Sequence, residues 1–474
     1  MTGISAIGTY TPRFRITAEE FSDAWGQFQA SGVNQKAVAA ADEDALTMAY
    51  EAATRTLEVG DVDPESIDWL GFGTSRPPVA EEDLTARLGA MIALESETSR
   101  HVFTSSTRAG TRALWAGMDA VQAGAERALI VAADAPRGEP DDAIDHAAGA
   151  GAAAFVLECD GPARIVDRAE YARAFPGTRF RESGSETIDE LGVTQYDRRA
   201  FTETIGGAID GLKETWSPSA AAIQAPDGKL PYRSSGPVGV ETDDIRAATT
   251  VHDLGDLGAA SVPISVAKAL ENGYETILAV SHGSGAGADA FVIENPSGVP
   301  TTLDLGGETP LSYAAYLRQR GVVTSGPPSG GGAYVSVPAW QRSIPQRYRR
   351  EAGRCPECGS LEFPPEGACR SCNFLGEYDP VQLPREGTIE AVTTISQGGA
   401  PPEFAEQQAQ SGDYAAAIVA FEVSGERVCL PAMGTDADPS TLEVGDRVET
   451  TIRRIYTQEG VTRYGFKIRP LETA

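Results

Sequence analysis

From Thr111 to Ala135 the apolar positions of TRALWAGMDAVQAGAERALIVAADA fall first at helical spacing and then run together without a polar break. A strand whose apolar residues do not alternate suits a sheet covered on both faces, and a helix rich in small residues suits burial on several sides. The same word returns from about Ala259, AASVPISVAKALENGYETILAVSHGS, with Gly273 where the first copy has Gly124. After unequal loops each copy continues through a glycine-rich turn into a further strand, GAAAFVLE or ADAFVIE. The pattern predicts two pseudo-symmetric halves of an α/β fold.

Laying Gly124 on Gly273 gives an offset of 149 residues, which places Thr107 on Asp256 and Ser75 of GFGTSRPP on Gln224 of IQAPDGKLP. These four positions are expected at matching strand ends of the two halves. FTSSTRAGTRALWAG, 103 to 117, reads as a short strand turning into a helix, a turn where many enzymes mount a nucleophile. Here that turn holds Thr107.

The pattern changes after residue 323. TSGPPSGGG has the composition of a flexible linker, and an aromatic, arginine-rich helix follows it. From Gly387 onward come GTIEAVTTI, AAAIVAFEV, ERVCLPAMG, DRVETTIRRIY and TRYGFKIRP, short strand-like runs between Gly and Asp turns. They predict a small OB-like barrel. The expected division is 1–165 and 166–323 for the two halves, 324–335 for the linker, 336–380 for helix and zinc ribbon, and 381–474 for the barrel.

Cys355-x2-Cys358-x10-Cys369-x2-Cys372 forms two knuckles whose thiolates can meet on one tetrahedral zinc. Four thiolates leave no open position, so the metal is structural. Cys159 and Cys429 stand alone in apolar runs and are expected as small buried side chains.

Charge narrows the function classes. The 474 residues carry 68 acids against 39 bases, a net charge of −29, and only five of the bases are lysine. Acid spread along the chain, with Arg preferred over Lys, fits the surface of a halophilic protein and opposes general nucleic-acid binding. No run approaches the roughly 18 apolar residues of a membrane span, and MTGISAIGTYTPRFR lacks the regions of a signal peptide, so a cytoplasmic location is expected.

The words GISAIGTYTPRFRI (3 to 16), KAVAAADEDALTMAYEAA (36 to 53), AGTRAL (109 to 114), ALIVAADAPRG (128 to 138), AGAGAAAFVLE (148 to 158), PDGKLP (226 to 231), HGSGAGADAF (282 to 291) and LSYAAYLRQRGVV (311 to 323) resemble the archaeal HMG-CoA synthase branch of the thiolase superfamily. The resemblance implies a duplicated, five-layered thiolase-like fold, a dimer, and condensation of acyl-CoA through a cysteine, a glutamate and a histidine. The run from CPECGSLEFPP to YGFKIRP resembles a rubredoxin-like zinc ribbon with an OB-fold domain, which in such archaea is a separate subunit joining the synthase to a thiolase and lining a shared CoA channel.

Carried over residue by residue, the nucleophile position is Thr107, the acid/base position Ser75, the histidine position Gln224 and the asparagine position Asp256. These replacements remove the groups that would move protons, since a Thr hydroxyl needs an adjacent base and a glutamine amide is not one. The expected reading is an acyl-CoA-binding protein with a vacated condensing site and an assembly role beside a thiolase-family protein. The alternative is an active acyltransferase with a displaced set, using His282 or His252. A nucleic-acid-associated module is a third class. Gly283, Gly285 and Gly287 fit backbone approach to a ligand or tight-turn packing alike, and Lys229 of PDGKLP fits a site-facing or a solvated role. Arg342, Arg347, Arg349, Arg350 and Arg354 fit a phosphate-holding cluster or a solvated helix face.

Overall fold

The computed structural model describes residues 2–324, 335–396 and 398–471. The linker expected at 324–335 lies, apart from its two ends, outside the described residues. The chain forms two compact units, one of Met1–Ala40 with Asp44–Tyr316, the other of Ala41–Glu43 with Leu317–Ala474. No described helix is long and apolar enough to cross a membrane.

The first unit is organised by one sheet whose strand order runs Ser99–Phe103, Trp69–Gly73, Arg127–Asp134, Gly151–Cys159, Thr2–Tyr10, Ala163–Phe175, Gly285–Glu294, Thr276–Gly283, Ala220–Ile223. Read inward from either edge, the halves repeat. Trp69–Gly73 pairs parallel with Arg127–Asp134, which pairs antiparallel with Gly151–Cys159. Ala220–Ile223, Thr276–Gly283 and Gly285–Glu294 do the same. The halves meet where Gly3 and Ile4 pair with Arg164 and Ala163.

The duplicated helices are Ala109–Gln122 and Ser261–Glu271. Each packs on strands of its own half and the two touch each other, so small residues are needed along both. A Cβ on Gly110 would lie 2.3 Å from the Ala259 carbonyl oxygen, which fixes how closely the helix heads approach. Ala113, Ala260 and Ala267 share the same apolar core with Ile130, Phe155 and Phe291. Their strands bury both faces, which is why the sequence shows no alternation.

Asp134 ties the two halves at the sheet end. Its carboxylate accepts from the Ser75 hydroxyl at 2.5 Å, the Ser75 amide at 3.1 Å and the Ala259 amide at 2.8 Å. One buried side chain therefore holds the turn after Trp69–Gly73 against the start of the second duplicated helix.

In the second unit Trp340, on the helix Val337–Arg342, has the guanidinium groups of Arg347 and Arg463 over its ring, 4.4 Å and 4.7 Å from the centre. Three short strands, Leu361–Glu362, Glu351–Arg354 and Asp379–Gln382, frame the cysteine knuckles. The remaining five strands form an antiparallel sheet in the order Glu426–Met433, Tyr414–Val423, Glu386–Ile395, Arg447–Gln458, Val461–Pro470. A bridge between Gly434 and Ile468 brings its edges together, and the near-closed result is compatible with an OB-like barrel.

The two isolated cysteines depart from expectation, because both are exposed. Cys159 is the last residue of its strand, where the sheet runs out into a turn. Cys429 lies on the outer face of an edge strand whose alternate residues, Val428 and Leu430, take the core positions.

Candidate functional site

The strand Ser99–Phe103 turns into the helix Ala109–Gln122 through Ser105, whose φ of 68° lies in the left-handed region that side chains with a Cβ seldom adopt. That sharp turn delivers Thr107 to the floor of a cavity of about 360 Å³. Gln224, Asp256, His282 and Lys229 line the same cavity, so the structure brings five of the expected residues together.

The hydrogen bonds define what each can do. The Thr107 hydroxyl donates to the His282 backbone carbonyl at 2.6 Å. Its proton is held by an acceptor that cannot remove it. Gln224 donates from Nε2 to the Gly258 carbonyl at 3.0 Å, which orients the amide and leaves Oε1 buried with no partner. Asp256 accepts the Gly258 amide at 2.9 Å and pairs with Arg179 at 2.5 Å. The pair satisfies a carboxylate only 2 % exposed.

His282 packs against Phe201 with ring centres 5.0 Å apart and planes tilted by 58°, and its Nδ1 lies 3.0 Å from the Thr204 hydroxyl. Burial, reinforced by the positive charges of Arg108 and Arg179, pushes its pKa down to about 3. The ring is neutral at any ordinary pH and is a weak base.

Ser75 and His252 are placed elsewhere. Ser75 lines a second cavity, of about 340 Å³, that also includes Thr107, and its hydroxyl is committed to Asp134. His252 lines neither cavity; its ring nitrogens meet Tyr232 Oη at 2.7 Å and the Gly32 carbonyl at 2.6 Å. Gly285 lines the second cavity, whereas Gly283 and Gly287 pack on Arg108, where a Cβ would lie 2.6 Å and 2.1 Å from that side chain.

Sequence reasoning missed the arginines. Arg179, Arg198 and Arg233 all line the first cavity, and burial raises the pKa of its acidic members Glu190 and Asp197. For Arg179 the only local signal was the arginine repeat in GTRFRESG, which has no motif value alone. It also missed the buried Asp289, which accepts from Arg108 Nε at 3.0 Å and Thr111 Oγ1 at 2.9 Å and so anchors the helix head beside Thr107.

In the second unit the sulfurs of Cys355, Cys358, Cys369 and Cys372 lie within 4.8 Å of one another. Cys355 and Cys372 are 3.6 Å apart, as are Cys358 and Cys369. Four sulfurs each about 2.3 Å from a central tetrahedral ion would be about 3.8 Å apart, so the cluster has the dimensions of a zinc site.

No protein-family model matches the chain. Curated relatives do. The hydroxymethylglutaryl-CoA synthase of Pyrobaculum arsenaticum is 30% identical over 344 residues, covering 68% of this chain and 98% of the relative. That of Methanocella arvoryzae is 29% identical over 343 residues, covering 68% and 99%. Among solved structures, an HMG-CoA synthase complexed with CoA superposes with a TM-score of 0.59 at 18% identity, covering 71% of this chain and 94% of the other. The 3-oxoacyl-[acyl-carrier-protein] synthase III of Aquifex aeolicus gives 0.55 at 17% identity, covering 62% and 100%. At those identities the structural likeness carries the fold, which is thiolase-like.

Proposed function

Because the chain belongs to the hydroxymethylglutaryl-CoA synthase family, we propose that it binds an acyl-CoA in the cavity floored by Thr107, has lost the condensing chemistry, and serves in assembly beside a thiolase-family protein. The two halves, 1–165 and 166–323, supply the cleft in this reading, and the module at 336–474 supplies the assembly role. Lys229, Arg198 and Arg233 are positioned on the cavity wall where the phosphates of CoA would be held. The solved relative with bound CoA supports that ligand class.

The observation that carries the loss of chemistry is the Thr107 hydroxyl donating to a backbone carbonyl at 2.6 Å. A hydroxyl is a poor nucleophile until a base takes its proton, and among the described residues no base is hydrogen-bonded to this one. Gln224 and Ser75 cannot substitute, since an amide and a hydroxyl do not accept a proton at neutral pH. The rival reading, an active acyltransferase that uses His282 or His252, is disfavoured by the pKa of about 3 on the first ring and by the second lining neither cavity.

Cys355, Cys358, Cys369 and Cys372 would hold one zinc, which cross-links the ribbon and takes no part in chemistry. Incubation of the full chain with radiolabelled acetyl-CoA should leave no covalent acyl group, while calorimetry should detect binding. An acylated peptide containing Thr107, formed as fast as turnover, would overturn the vacated-site reading. Absence of any binding by CoA or acyl-CoA would overturn the ligand.

A further inference from the structure

The second cavity, about 340 Å³, shares Thr107, Arg179 and Ser284 with the first but has a different chemistry. Ser75, Ser105, Ser106, Thr107 and Ser284, with Arg76, Arg179 and Arg181, are among the residues that line it. Donors therefore dominate its wall, in a chain whose formal charge is −29.

The charges within it are not all compensated. Arg76 pairs with Glu186 and Arg179 with Asp256. Arg181 has no carboxylate partner among the described residues, and its one side-chain hydrogen bond is a long contact of 3.5 Å to the Ser75 carbonyl. Arg179 uses Nη1 on Asp256 and keeps Nη2 buried with no acceptor. Asp134, behind Ser75, already accepts from Ser75, Ala135 and Ala259 and adds no free acceptor to the wall. A buried guanidinium donor without an acceptor is unfavourable, and an oxyanion relieves it. Ser105, in the turn before the helix at φ 68°, adds a hydroxyl-bearing residue to the wall.

We infer that this cavity is a binding site for a small oxyanion, held between Arg179 and Arg181 with the Ser105 and Ser284 hydroxyls as further donors. The inference stands on that wall and not on the acyl-CoA reading. Two sources share the chemistry: a free ion such as inorganic phosphate, or the terminal carboxylate of an acyl group that enters from the first cavity past Thr107.

Titration calorimetry on the full chain in potassium chloride separates them, using inorganic phosphate, glutarate, glutaryl-CoA and uncharged butyryl-CoA with wild type, Arg181→Ala and Arg181→Lys. For a free ion, phosphate or glutarate binds wild type at one site and Arg181→Ala weakens it roughly tenfold to a hundredfold, the loss of one charge-assisted hydrogen bond. Arg181→Lys weakens it less. For an acyl carboxylate, wild type prefers glutaryl-CoA to butyryl-CoA, and Arg181→Ala removes the preference while butyryl-CoA binding is unchanged. Melting temperatures identify any variant that has lost its fold, and the milder Arg181→Lys then carries the comparison. If no anion binds and glutaryl-CoA shows no advantage in wild type, the oxyanion site is refuted. Failure of both CoA esters with retained phosphate binding would instead refute only the acyl-CoA reading.

Discussion

Acidification tests the neutral state of His282. An unfolded histidine titrates at 6.5, whereas burial beside Arg108 and Arg179 holds His282 at about 3. Below pH 6.5 the unfolded chain binds a proton that the folded chain refuses, so stability falls as pH drops from 6.5 toward 3 and is flat above that window. Between pH 7.5 and pH 5 the unfolded ring gains nearly a full proton and the folded ring almost none, which removes about 2 kcal/mol of stability. Because pH 5 stays well above the folded value, the figure does not depend on locating that value closely. Carboxylates also titrate in this range, but His282→Asn leaves most of them in place, and the comparison of pH dependences isolates the ring. Urea unfolding at constant high salt, followed by tryptophan fluorescence, should show the wild type losing about 2 kcal/mol more than His282→Asn over this interval. Equal losses would mean that folded His282 protonates normally. It would then be available as a base near neutral pH, and the case against the active acyltransferase would fall with it.

Three further outcomes are expected. The purified protein should carry one zinc by elemental analysis, and Cys358→Ser should lose it; stoichiometric metal in that variant would remove Cys358 from the ligand set. Affinity capture at high salt should recover a thiolase-family protein with wild type and lose it with the Cys358→Ser, Cys372→Ser pair, whereas retention would detach the ribbon from assembly. Asp289→Ala should cost about 1–3 kcal/mol in urea unfolding, since it removes the buried acceptor of Arg108 Nε and Thr111 while Glu170 still pairs with Arg108, and a cost under about 0.5 kcal/mol would contradict the pairing described.

The duplication was legible because it is written in local pattern: a small-residue helix, a glycine and an unalternating strand recur at one offset, and their neighbours fall at equivalent strand ends. The gathering of Thr107, Gln224, Asp256 and His282 around one cavity follows from that symmetry. What stayed hidden depends on pairs far apart in sequence. Arg108 and Asp289 belong to different halves, and nothing near either residue announces the other. Asp134 ends the strand Arg127–Asp134, and its oxygens collect donors from Ser75 and Ala259, residues remote from it in sequence. Arg179 and Arg181 sit in a loop without periodicity, where only the folded chain reveals which surface they face. Cys429 was misjudged because an apolar run on an edge strand looks the same whichever side is solvated.

The scarcity of lysine has a practical use. Lys36 and Lys467 are buried to within 1 % exposure, and Lys268 gives its ammonium to the Thr249 carbonyl. Among the lysines, only Lys213 and Lys229 are exposed, and Lys229 alone lines the first cavity. A limiting dose of an amine-reactive ester, read out by peptide mass spectrometry, thus offers an occupancy gauge: ligand should shield Lys229 while Lys213, on the same molecule, serves as the internal clock.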